Sequence, residues 1–170
     1  DAFVEFGRRR VAAKAAYADG EPESGDTFES PARIRMSESL RSRLLLPAAQ
    51  VYRVLARPGG VKLGPIIGLL LGVHTNRYDP EHMRKYTDRM GVYSQVGGLI
   101  YAFSPRAVDW RGHTAYGLYY NIRDREWEYG RFPLPEVIYR RDFHSDPAVV
   151  RRLAAYAQGR LFNSHRFTKY

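Results

Sequence analysis

The rhythm of hydrophobic and polar positions changes once along this chain, near residue 64. Before it, apolar residues come in short alternating runs. Phe3-Val-Glu-Phe6 alternates loosely, and Val11, Ala13, Ala15 and Tyr17 recur at period two, although their alanine content equally allows a helix. Residues 19–31 hold Gly, Pro, Ser and acids with almost nothing apolar, which reads as an exposed loop. Arg33-Ile-Arg-Met36 alternates as a strand, and Ser37 can cap a short helix running to about Leu44, ended by Pro47. Val51-Tyr-Arg-Val-Leu55 is a further strand, closed by the turn Pro58-Gly59-Gly60. Residues 1–63 are therefore expected to form a small β-rich unit.

Gly64-Pro65 marks the boundary of a second unit, residues 64–170. Residues 66–71 are apolar without alternation, as in a central strand covered on both faces. Asp79-Pro80 combines an N-cap with proline at the first helical position, and Met83, Tyr86, Thr87 and Met90 then share one helical face, with Gly91 as the stop. Leu99-Ile-Tyr-Ala-Phe103 is the next strand, giving a βαβ unit with a right-handed crossover. Residues 114–120 and 126–132 alternate around the short loop 121–125, which predicts a β-hairpin. Val137-Ile-Tyr139 reads as a buried strand. Asp146-Pro147 repeats the helix-start signal for an apolar face of Val149, Val150, Leu153, Ala154 and Ala157, and Leu161-Phe162 is a last strand. The expected fold class is α/β, a mainly parallel open sheet of about four strands with an inserted hairpin, preceded by the β-rich unit. After Phe162, Asn163-Ser164 and the aromatic and basic residues to Tyr170 read as the opening of a further segment.

Composition narrows the chemistry. An apolar fraction of 44% supports a core, and the absence of cysteine excludes disulfides and thiolate metal sites. The longest strongly apolar run is far below the roughly 20 residues of a membrane span. Together these point to a cytoplasmic protein. The formal charge of +9 favours anionic partners, but the arginines are dispersed, so a dedicated polyanion site and a merely solvated basic surface both stay open. No nucleic-acid-binding pattern accompanies the charge, and no specific nucleic acid is expected.

Phosphate-binding glycine loops, nucleophile elbows and HExxH-type zinc signatures are all absent, and the five histidines are isolated from one another. No catalytic residue and no metal ligand is assigned. What remains is the set of loops at the carboxyl ends of the expected parallel strands, where open α/β sheets bind ligands. Gly72-Val-His-Thr-Asn-Arg-Tyr78, Ser104-Pro105-Arg106 and Arg140-Arg141-Asp142 would gather His74, Thr75, Asn76, Arg77, Arg106, Arg140 and Arg141 on one substrate-binding rim. Arginine suits carboxylate and phosphate because its planar fork donates two parallel hydrogen bonds. The same residues could equally be ordinary solvated loop positions.

Leu63-Gly-Pro-Ile-Ile-Gly-Leu-Leu70, Gly97-Gly-Leu-Ile-Tyr-Ala-Phe103, residues 127–132, Leu134-Pro-Glu-Val-Ile-Tyr-Arg-Arg141 and Phe162-Asn-Ser164 occur in an order and spacing that resembles the N-terminal half of the YheC/YheD family. These are endospore coat-associated proteins with an ATP-grasp domain, and the resemblance runs from about Arg33 to Tyr170. It implies that residues 64–170 are a pre-ATP-grasp domain, contributing scaffold and the acceptor-substrate side of the cleft of an ATP-dependent carboxylate–amine or thiol ligase. ATP and Mg2+ would be bound by a C-terminal ATP-grasp domain beginning near Asn163, so this chain alone would be inactive. Typical members carry Tyr-Asn-Arg where this chain has Tyr139-Arg140-Arg141. Spore coat association, with coat proteins as partners, follows from the same resemblance, as does the alternative of a non-catalytic coat interaction module built on the β-rich unit and the aromatic hairpin.

Overall fold

The computed structural model describes residues 2–14, 35–48, 50–72, 79–90, 97–141 and 145–163. The first sheet comprises β1 (Ala2–Phe6), β2 (Arg9–Ala13), β3 (Arg53–Arg57) and β4 (Gly60–Gly64), in the order β2-β1-β4-β3. β1 pairs with β4 in parallel, whereas the β1–β2 and β3–β4 pairs are antiparallel hairpins. The alternation visible at Phe3–Phe6 has a direct consequence. Val4, Phe6, Val11 and Leu63 line one face and are buried, and Glu5 and Lys62 lie on the other. Helix α1 (Glu38–Leu44) closes over the buried face with Leu44. The Ser37 hydroxyl accepts a hydrogen bond from the Leu40 N–H at 3.2 Å, satisfying one orphan donor of the first turn. Arg35 and Met36, expected in a strand, adopt no regular structure.

The chain crosses to the second sheet through a cis Gly64–Pro65 bond. This sheet contains β5 (Ile66–Leu70), β6 (Leu99–Asp109), β7 (Thr114–Asn121), β8 (Glu126–Pro133), β9 (Val137–Arg140) and β10 (Leu161–Phe162), ordered β10-β9-β5-β6-β7-β8. Its helical cover is thin. α2 (Pro80–Met83), a 3-10 turn (Arg84–Tyr86) and α3 (Thr87–Met90) lie on one face, and α4 (Pro147–Tyr156) on the other. Asp79 and Asp146 cap α2 and α4, each followed by proline in the first turn.

The expected mainly parallel open α/β sheet is thus overturned. Among the described residues, ten strands stand against four short helices and one 3-10 turn, and both sheets are mixed. The physical reason lies after Phe103. β6 does not end there but runs on to Asp109, and tight turns return the chain directly, with no helix to carry a parallel crossover. The hairpin is not inserted beside the sheet. β7 and β8 extend the sheet antiparallel to its edge.

Alternation along the strands splits the interior into two apolar clusters. Tyr101, Phe103, Tyr119, Phe132 and Ile138 face one way, joining Leu153 of α4 and the buried face of the first sheet in one core. Ala102, Leu118, Tyr120 and Trp127 face the other way, against Met83 and Met90. The Trp127 indole N–H donates to the Thr87 hydroxyl at 3.1 Å. The hairpin aromatics are therefore mostly core. Among them only Tyr116 and Tyr129 are exposed, as a stacked pair 5.8 Å apart.

Candidate functional site

The ends of β5 and β9 lie beside the middle of β6, because Leu70 is in register with both Phe103 and Arg140. The Leu71 N–H donates to the Phe103 carbonyl and the Arg141 N–H to the Leu70 carbonyl, tying the three strands together. The rim arginines diverge within this frame. Arg140 is the last residue of β9, on the same face as Ile138, and is buried at 8% exposure. Arg141 is exposed, with its guanidinium 5.6 Å from the Tyr86 ring on the opposite face. Two adjacent arginines thus leave the strand end in opposite directions. Arg106 is exposed but is not in a loop. It lies within β6, in a bulge where the β6–β7 register shifts between Phe103 and Val108. Its N–H donates to the Ser104 hydroxyl at 3.3 Å, and Ser104 itself is buried. His74, Thr75, Asn76 and Arg77 lie outside the described residues.

A concavity sits at the other end of the sheet, where the parallel strands begin. It encloses about 600 Å³ between the two sheets, with Arg8, Arg53, Arg57, Lys62 and Arg160 around Glu5 and Glu136. Lys62 is its centre, bridging Glu5 at 3.2 Å and Glu136 at closer range. Arg160 donates to the Glu136 carbonyl at 3.0 Å. Arg8 reaches across to the Tyr156 carbonyl at the C-terminal end of α4 and places its guanidinium 3.9 Å over that ring. A cation there meets the negative end of the helix dipole. The cleft is thus a polar seam that fixes one sheet on the other, with an excess of arginine at its mouth. Sequence reading missed it, because its residues come from four distant segments and no local spacing announces them.

Burial works against the charge on Lys62, but the hydrogen bonds and charges of Glu136 and Glu5 outweigh it and raise the ammonium pKa above its ordinary 10.5. A group whose pKa is raised on folding contributes stability that is full below the unfolded value and is lost as pH rises through the folded one. Wild-type stability should therefore fall above about pH 10.5, and Lys62→Met should be less stable at pH 8 but show a shallower alkaline decline. Urea titrations between pH 8 and 12 test this. Parallel alkaline slopes for the two proteins would remove the role given to Lys62.

Among the described residues, no three His, Asp or Glu side chains converge into a metal site. No described helix is long and apolar enough to cross a membrane.

No family model and no solved structure matches the chain. Over 111 residues, or 64% of its length, it is 29% identical to the endospore coat-associated protein YheD of Bacillus subtilis (strain 168). The chain covers 24% of that relative, about a quarter of its length. This similarity, in a chain that carries the strand and strand-end motifs described above, supports a relationship of the protein to the YheC/YheD family.

Proposed function

We propose that these residues are the scaffold portion of a spore coat-associated, ATP-dependent carboxylate–amine or thiol ligase of the ATP-grasp kind. The similarity to YheD over 111 residues carries this reading, since it spans only a quarter of that protein. ATP and Mg2+ would be held by a further domain. The present residues would frame the acceptor substrate from the ends of β5 and β9 and the bulge of β6, where Arg141 and Arg106 are exposed. Their guanidinium groups would bind a carboxylate of the acceptor by charge-assisted hydrogen bonds and so hold its amine or thiol for attack on the acyl phosphate carbonyl, which expels phosphate.

The test compares the 170-residue chain with the longer polypeptide it would belong to. Magnesium-dependent ATP turnover is expected only from the longer protein. There, Arg106→Ala and Arg141→Ala should each raise the acceptor KM about tenfold and leave the KM for ATP unchanged. Turnover by the 170 residues alone, or failure of the longer protein to bind adenine nucleotides, would sink the proposal.

A further inference from the structure

Among the described residues, two buried side-chain donors have no hydrogen-bond partner, the Arg9 Nε–H and the Tyr156 hydroxyl. Both residues line the same small pocket, of about 240 Å³, where the two sheets and α4 meet. Arg8 and Arg9 come from the turn into β2, and Gly112 and His113 from the turn into β7. Pro133 ends β8 there, and Tyr156 ends α4. A buried polar group left unpaired costs free energy, and native proteins keep few of them. That both fall in one pocket calls for a guest that pairs them.

The lining sets the chemistry of that guest. A guanidinium Nε–H can only donate. Burial pushes the Tyr156 phenol above its ordinary pKa, although Arg8 pulls it the other way, so the hydroxyl keeps its proton and can donate as well. No carboxylate lines the pocket. Asp109, just before the turn into β7, is held by Arg131 and by the Arg111 and Gly112 N–H groups, and Glu136 is held by Lys62. Arg9 uses one terminal nitrogen on the Arg43 carbonyl and Arg8 one on the Tyr156 carbonyl, and neither contact neutralises a charge. Two guanidinium groups thus meet in a pocket with no carboxylate in its walls. Its volume is below the roughly 300–1,000 Å³ of pockets for drug-sized ligands, which suits a small anion.

We propose that this pocket binds a small oxyanion, a phosphate or a carboxylate, between Arg9 and Tyr156. The anion accepts from the Arg9 Nε–H and the Tyr156 hydroxyl, in hydrogen bonds strengthened by its charge. The exposed Arg8 and His113 side chains turn with it and need no backbone change, and the His113 ring already lies 5.6 Å from that of Tyr156. Because the walls come from both sheets and α4, a bound anion ties them together, and its binding stabilises the fold. A bound water would meet the same two donors but would respond to no anion. The site uses neither Arg106 nor Arg141 and stands or falls without the ligase reading.

The test titrates the 170-residue chain with sodium phosphate, sodium acetate and sodium chloride at equal ionic strength, by calorimetry and by melting temperature. Phosphate or acetate should bind saturably and raise the melting temperature above its value in chloride. Tighter binding of phosphate would assign a phosphate site and tighter binding of acetate a carboxylate site, and either supports the proposal. Tyr156→Phe and Arg9→Met should each weaken binding about tenfold or more, because each removes one charge-assisted hydrogen bond. If Arg9→Met does not fold, Tyr156→Phe still decides. Without added oxyanion, Tyr156→Phe should melt no lower than wild type, since its hydroxyl has no partner to lose. A lower melting temperature for that variant would show the hydroxyl already satisfied and overturn the proposal. So would an equal response to chloride, no response to any of the three salts, or undiminished binding by Tyr156→Phe, which would place the anion elsewhere on the basic surface.

Discussion

Tyr101→Ala is expected to cost about 4 kcal/mol of folding stability, a large share of the roughly 5–15 kcal/mol that holds an ordinary domain together. Tyr101 is fully buried at the meeting point of the two sheets. Its ring centroid lies 4.9 Å from that of Phe132 and 5.5 Å from that of Phe103, so truncation opens a cavity among aromatic side chains that cannot collapse freely. Its hydroxyl donates to the Pro133 carbonyl at 3.0 Å, closing the far end of β8 onto β6. Tyr101→Phe separates the two contributions. It keeps the ring and leaves one buried carbonyl without its donor, for about 1–2 kcal/mol. Urea unfolding with an unchanged m-value is the measurement, and a loss below about 1.5 kcal/mol for the alanine variant would show that the ring is not a core element. Burial also pushes the Tyr101 phenol far above its ordinary pKa, so its hydroxyl stays protonated in the folded protein well into alkali. The unfolded chain ionises first, and this tyrosine adds to the alkaline loss of stability described for Lys62.

Gly117→Ala should cost about 3 kcal/mol, for a different reason. Gly117 sits in the middle strand of the antiparallel part, opposite Phe103 and Gly130. A Cβ there would drive into the Ala102 carbonyl and come 2.9 Å from the Tyr101 ring. The carbonyl belongs to the backbone of β6 and cannot rotate away, so the strand itself must shift, just before the bulge that carries Arg106. The ring contact makes the two sites interdependent. In the double variant with Tyr101→Ala the losses should fall short of their sum by about 1 kcal/mol, because the ring half of the clash is gone. A Gly117→Ala protein as stable as wild type would mean that β6 and β7 do not approach this closely.

Most single elements were legible in the sequence because their causes are local. Ser37, Asp79-Pro80 and Asp146-Pro147 announce helix starts through groups that satisfy the first N–H donors, and all three do so here. The hairpin of β7 and β8 is written in alternation and a short polar turn, and its register follows. The candidate site was legible only in part. The three strands are marked by the apolar runs at residues 66–70, 99–103 and 137–139. The divergence of Arg140 from Arg141 follows from strand geometry only once Arg140 is known to end β9.

The sequence by itself determined where the helices capped by Ser37, Asp79 and Asp146 begin, which residues are apolar enough to be core, and that the chain is strongly basic. Tertiary structure alone decided that β6 continues through Ser104-Pro105-Arg106, that the hairpin extends one sheet, that Tyr119 is buried while Tyr129 is exposed, and that Lys62 meets Glu5 and Glu136. The physical reason is the range of the interactions. A cap or a turn is settled within about four residues, whereas strand order, edge exposure and an ion pair across 74 positions depend on pairing energies between segments that no local pattern encodes.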